Sequence, residues 1–100
     1  MKRYFEWDEA KAAKNKKKHK FEFKNIVEVF DDPFAITKQD RIEGGEYRWQ
    51  TIGMTKNRLV VLVGHTIYER KDVEIIRIMT ARKADRKERE QYEHSKIRAR

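Results

Sequence analysis

The feature that most constrains this chain is the run Leu59-Val60-Val61-Leu62-Val63, apolar at every position. Successive side chains of a strand point to opposite faces, so a strand apolar on both faces is buried on both. Arg58 to Ile67 is therefore expected to be the central strand of a sheet. A hundred residues leave room for one core, so residues 1–100 are expected to form a single domain.

Ile75 to Tyr92 organises what surrounds that strand. Its first half is rich in β-branched and apolar residues and reads as a strand. Its second half reads as a helix, with Asp85 at the N-cap and Glu88 three residues on to close a capping box. Arg82, Lys83 and Arg86 crowd the junction. Cations beside the free N–H groups of a helix start make a ready anion site. The competing reading is that Arg82 simply pairs with a carboxylate such as Asp85.

Upstream, Met1 to Trp7 reads as a short strand with Phe5 and Trp7 alternating around Glu6. Asp8 then caps a helix containing Ala10, Ala12 and Ala13. Asp8, Ala12, Asn15 and His19 share one face of it, too polar for a simple core stripe, so these polar groups need specific partners. Phe23, Ile26, Val27 and Phe30 at helical spacing predict a second short helix, ended by Asp31-Asp32-Pro33. Ala35 to Ile42 reads as a weak strand or loop. Gly44-Gly45 turns into Glu46–Met54, with Glu46, Arg48 and Gln50 on one face and Tyr47, Trp49 and Thr51 on the other. Glu69 to Asp72 is a turn, and the basic residues 96–100 are expected to fray. Segregated helices and strands imply an α+β fold: an antiparallel sheet with two N-terminal helices and one C-terminal helix.

Lys and Arg number 25 against 17 Asp and Glu, a net charge of +8. Seven lysines lie between Lys11 and Lys24 with only Glu22 to oppose them. Such a field favours a polyanion. Lys11, Lys14 and Lys18 form either a solvated face or one that follows an RNA backbone. With no cysteine there is no disulfide, thiol nucleophile or thiolate metal site. His19, His65 and His94 are scattered, so no metal is expected, and no P-loop, dinucleotide-binding glycine pattern or nucleophile elbow implies a cofactor. No apolar run approaches a membrane span or signal peptide, which points to the cytoplasm.

Trp7-Asp8, Lys11, Asn15 and Lys18-His19 are followed in order by Phe23, Val29, Phe30, Asp32, Glu46, Arg48, Gly53 and Arg58-Leu59. Arg77-Ile78, Ala81-Arg82-Lys83-Ala84, Glu88 and Tyr92 complete a set that resembles the BrnT toxins over nearly the whole chain. The resemblance implies a RelE-like α+β fold and a ribonuclease that inhibits translation. It also implies neutralisation by a BrnA-like antitoxin of ribbon-helix-helix type, through which the pair reaches its operator DNA. Three features depart from the family pattern: Lys20 stands where glycine is usual, Met79-Thr80 replaces Ile-Ser, and the turn between Thr66 and Arg77 is longer.

Cleavage by attack of the ribose 2′-OH on the adjacent phosphate needs a proton carrier and fixed positive charge, and no metal. Arg82 and Arg48 are candidates for the charge, because guanidinium groups match phosphate oxygens bidentately. His19 is a candidate proton carrier. Tyr92 is a further catalytic candidate, set against packing on the sheet with its hydroxyl tied down, since it shares a helical face with Ala84 and Glu88. Arg77 is a candidate RNA contact or a sheet-face arginine bonded to Glu46 or Asp8. The alternative function is a non-catalytic nucleic-acid-binding or operon-regulating partner protein.

Overall fold

The run that is apolar on both faces lies in the middle strand of a five-stranded sheet of order β1-β5-β4-β3-β2. The computed structural model describes residues 2–99. Strand β1 is Lys2–Glu6, α1 Glu9–His19 and α2 Phe23–Ile26, followed by a 3₁₀ helix at Val27–Asp31. Then come β2 (Ile36–Glu43), β3 (Glu46–Met54), β4 (Val60–Arg70), β5 (Val73–Lys83) and α3 (Arg86–Arg98). Met1, placed by the sequence in the first strand, and Arg100 lie outside the described residues.

Alternation along β4 creates two cores. Val61 and Val63 pack with Phe23, Ile26 and Val29 of the helical layer and with Ile76, Ile78 and Ala81 of β5. Val60 and Leu62 point the other way, to Ile52, Ala84 and Tyr92 beneath α3. Burying each large side chain contributes roughly 1.5–3 kcal/mol, so the first and larger cluster holds most of the fold.

The sheet is mixed, not antiparallel. β2 to β5 form an antiparallel meander, but β1 runs parallel to β5 at its free edge, from Lys2 opposite Val73 to Glu6 opposite Arg77. A parallel neighbour needs a long connection, and the helical segment and meander supply it. Past Arg77, α1 takes the place of β1 along β5. Its buried Asn15 accepts a hydrogen bond from the Ala81 N–H (2.9 Å) and donates to the Phe21 carbonyl (3.3 Å). Asp8 caps α1 by accepting from the Lys11 N–H. Lys20 ends α1 with φ 68°, the left-handed conformation that favours glycine.

Other expectations shift. The second helix is one α-turn that tightens into a 3₁₀ helix at Val27, where β-branched Val27 and Val29 weaken regular helix ahead of Pro33. The segment read as weak strand or loop is a full edge strand, β2, with an irregularity between Gln39 and Ile42. α3 is helical through Arg98, into the stretch where the sequence predicts fraying. Both hairpins of the meander with two-residue turns use positive φ: Gly44 and Gly45 in one, Lys71 (49°) and Asp72 (66°) in the other.

Asp32 pins three elements together. Its carboxylate accepts from the Phe34 N–H (2.9 Å), the Met54 N–H (2.8 Å) and the Tyr92 hydroxyl (2.6 Å). No helix among the described residues is long and apolar enough to cross a membrane.

Candidate active site

Beyond the α3 core, the same face of the sheet opens into a cleft of about 630 Å³. Lys11, Lys14, Lys18 and His19 line it from α1, Asp40, Arg41 and Glu43 from β2, and Arg48 and Gln50 from β3. Leu62 and Gly64 of β4 and Thr80 and Arg82 of β5 also line it. Six Lys and Arg side chains thus face two carboxylates. Glu22, the one acid of the lysine run, pairs with Lys16 and Lys24, neither of which lines the cleft.

The two candidate arginines are held differently. Arg82 grips Glu88 with two parallel hydrogen bonds, Nη1 to Oε1 at 2.8 Å and Nη2 to Oε2 at 2.9 Å. This pairing keeps the guanidinium firmly charged and the Glu88 carboxyl below its usual range. Glu88 also accepts from the Asp85 N–H, and Asp85 from the Glu88 N–H, which is the capping box. The start of α3 is therefore filled by the protein's own carboxylates and is not the anion site its composition suggests. Arg82 turns its charge toward the cleft from a clamp, and its partner is Glu88, not Asp85.

Arg48 has no such clamp. Its Nε is buried and has no hydrogen-bond acceptor. Glu43 Oε2 is 3.5 Å from Nε and Glu46 Oε1 is 3.6 Å from Nη2, within ion-pair but not hydrogen-bonding geometry. A buried donor without a protein acceptor is uncommon in a folded protein and leaves a hydrogen for water or a ligand atom to accept.

The cleft gathers most of the candidates, but not all. Arg48, Arg82, His19, Lys11, Lys14 and Lys18 all line it. Tyr92 does not: it is 1% exposed in the second core. Burial and its bond to Asp32 push the Tyr92 hydroxyl pKa up, so the phenol stays protonated and acts as a structural donor. Arg77 is also outside the cleft, and it donates to Glu6 (3.3 Å), not to Glu46 or Asp8. The parallel seating of β1 brings Glu6 to it, and Tyr68 donates to the same Glu6 oxygen.

Sequence reasoning misses several residues. Gln50 and Thr80 line the cleft, and the signal for each is alternation with an arginine already singled out, Arg48 and Arg82. His65 is buried in the sheet with Nε2 2.7 Å from Thr51 Oγ1, which lies 2.8 Å from Thr37 Oγ1. A proton on Nδ1, beside the Thr66 carbonyl at 3.4 Å, leaves Nε2 to accept from Thr51. Burial lowers the His65 pKa to about 4, so the ring is neutral near pH 7. Among the described residues, no three His, Asp or Glu side chains come together as a metal site.

A basic cleft on an α+β sheet, lined by guanidinium groups, defines a surface whose charge suits a polyanion. The profile of the ribonuclease toxin BrnT of type II toxin–antitoxin systems matches residues 7–88, and the chain belongs to that family. It is accordingly a BrnT-family ribonuclease toxin of a type II toxin–antitoxin system. A solved relative is the 1.1 Å crystal structure of the Brucella abortus ribonuclease toxin BrnT. The two share a TM-score of 0.59 and 18% identity over 83% of this chain and 97% of that one. At that identity the likeness speaks for the fold, which is BrnT-like. No curated protein sequence matches the chain.

Proposed function

We propose that this toxin cleaves RNA in the cleft without a metal ion, and so arrests translation until an antitoxin covers the site. The observation that carries this reading is the buried, acceptor-free Nε of Arg48 in a cleft lined by further cations. In the proposed reaction a ribose 2′-OH attacks the neighbouring phosphate. Arg48 and Arg82 hold the added negative charge, the electrostatic work that dominates such catalysis. His19, half-buried at the end of α1, moves the proton, and Lys11, Lys14 and Lys18 track the strand on either side. Tyr92 and Arg77 support the sheet. The proposed partner is a BrnA-like antitoxin of ribbon-helix-helix type that brings the pair to operator DNA. Residues 1–100 would act as one toxin domain in the cytoplasm.

Two measurements test this. Induced alone in bacteria, the chain should stop growth and protein synthesis, and an antitoxin encoded beside it should restore both. The purified protein should cut an oligoribonucleotide in excess EDTA and leave the 2′-deoxy oligomer intact. Normal growth with folded protein accumulating, or cleavage that EDTA abolishes, would overturn the activity or its metal independence respectively.

A further inference from the structure

We propose that bare backbone at Gly64 is the seat of the bound phosphodiester, with Thr80 as an unassigned donor to it. The proposal rests on the nuclease reading above and names where in the cleft the RNA backbone sits.

Register supplies the first argument. Gln50 lies opposite Gly64, and Gly64 opposite Thr80, so the three form one row across β3, β4 and β5. Directly opposed residues share a face, and all three line the cleft. Arg48 stands two residues from Gln50 on β3, and Arg82 two residues from Thr80 on β5, each on the same face. Strands are about 4.8 Å apart and same-face positions about 6.7 Å apart, so long arginine side chains reach over the centre of this set. That centre is Gly64, with Arg48, Gln50, Thr80 and Arg82 at the neighbouring same-face positions.

The second argument is why position 64 is glycine. Its φ is not in the positive range, so its backbone does not require one. Packing does, through one residue: the heavy atoms near an added Cβ all belong to Thr80, with Oγ1 at 2.7 Å, too close for a real Cβ, and Cβ at 4.0 Å. Gly53 shows a different case. A Cβ there would strike Val29 Cγ1 at 2.6 Å and its carbonyl oxygen at 3.2 Å, so Gly53 lets the helical layer close on the sheet. Gly64 lets only the Thr80 hydroxyl close on it, and Thr80 belongs to the cleft. A glycine in a strand interior weakens the strand and marks a bulge or a close approach to the backbone, and here the register shifts between Gly64 and His65.

The chemistry of this set selects the occupant. Arginine, amide and hydroxyl groups can all donate, and Arg48 Nε has a hydrogen with no acceptor. A tetrahedral anion with several free oxygens satisfies them together, and in a strand of RNA that anion is the phosphodiester.

The experiment compares wild type with Gly64→Ala and Thr80→Val, in cleavage of an oligoribonucleotide and in binding of its non-cleavable 2′-O-methyl form. Gly64→Ala should lower affinity and cleavage about tenfold or more, because its methyl group fills the seat and turns the Thr80 hydroxyl away, which forfeits one hydrogen bond to a charged group. Its melting temperature should change little, since the Thr80 side chain must turn aside while alanine restricts the unfolded chain. Thr80→Val removes the hydroxyl at constant shape and should lose a similar factor, while Thr80→Ser should retain activity. It also decides the matter if Gly64→Ala fails to fold. Wild-type cleavage that both variants leave unchanged would overturn the seat and spare the nuclease reading. Wild type that neither binds nor cuts RNA would overturn both.

Discussion

The face of the sheet that carries the cleft is built in two contrasting halves. Under α3 every polar group described has a partner: Asp32 serves Tyr92, Met54 and Phe34, and Glu88 serves Arg82 and Asp85. In the cleft Arg48 holds a buried N–H without an acceptor, and the row beside it centres on a glycine. Saturated polar groups give rigidity, while unsatisfied ones store a capacity to bind. The difference teaches that the two candidate arginines are not equivalent. Arg82 belongs to both halves, whereas Arg48 belongs to the cleft alone.

The largest effects should separate them. Arg48→Met should lower RNA cleavage about a hundredfold or more, the scale of one preorganised donor, and Arg48→Lys should rescue it poorly. Its unfolding free energy should not fall, because a buried donor without an acceptor is removed at similar volume. Arg82→Ala should lose comparable activity and also about 1 kcal/mol of stability, a screened figure for a partly exposed ion pair. Urea melts alongside cleavage rates check both. Equal destabilisation of the two variants would erase the contrast.

Acid should act next. His65 titrates at about 4 in the folded chain against 6.5 when unfolded, so between these values only the unfolded chain gains the proton. Stability from the neutral ring is complete above pH 6.5 and is lost as pH falls toward 4, about 3 kcal/mol in all. Urea melts from pH 7 to 4.5 should show a steeper acid loss in wild type than in His65→Asn. Parallel slopes would mean that the ring is well hydrated.

Tyr92→Phe should cost about 2 kcal/mol, the worth of a buried hydrogen bond to a carboxylate, and leave cleavage untouched. A drop in cleavage without loss of stability would return Tyr92 to the site. Smallest is Lys20→Gly. It relieves left-handed backbone at the end of α1 and should add about 0.5–1 kcal/mol, read as a higher melting temperature.

Legibility follows the range of the interactions. The apolar run at Leu59–Val63 announces the central strand, and Asp85 with Glu88 announces the start of α3, because periodicity and capping are local. Alternation alone puts Arg48 and Gln50 on one face. Periodicity assigns a face but never a neighbour, so the parallel seating of β1, and with it the Glu6 partner of Arg77, is out of its reach. Asp32 reads as a helix stop beside Pro33, while its bonds reach Met54 and Tyr92, far along the chain. β2 looks weak because an edge strand with few buried residues carries little apolar pattern. The special place of Gly64 depends on register across three strands, which no single segment contains.

The bond between Asn15 and Ala81 spans 66 residues and joins one wall of the cleft to its floor. Synthesis delivers that wall early and the floor late. At about 5–20 residues per second, the lysines of α1 are made seconds before the strand that completes the site with Thr80 and Arg82. Parallel pairing of β1 with β5 imposes the same delay on the sheet edge. A nascent chain stopped at Arg70 has the basic helix without the cleft. The cleft is thus incomplete until synthesis is nearly finished, so timing is written into its topology.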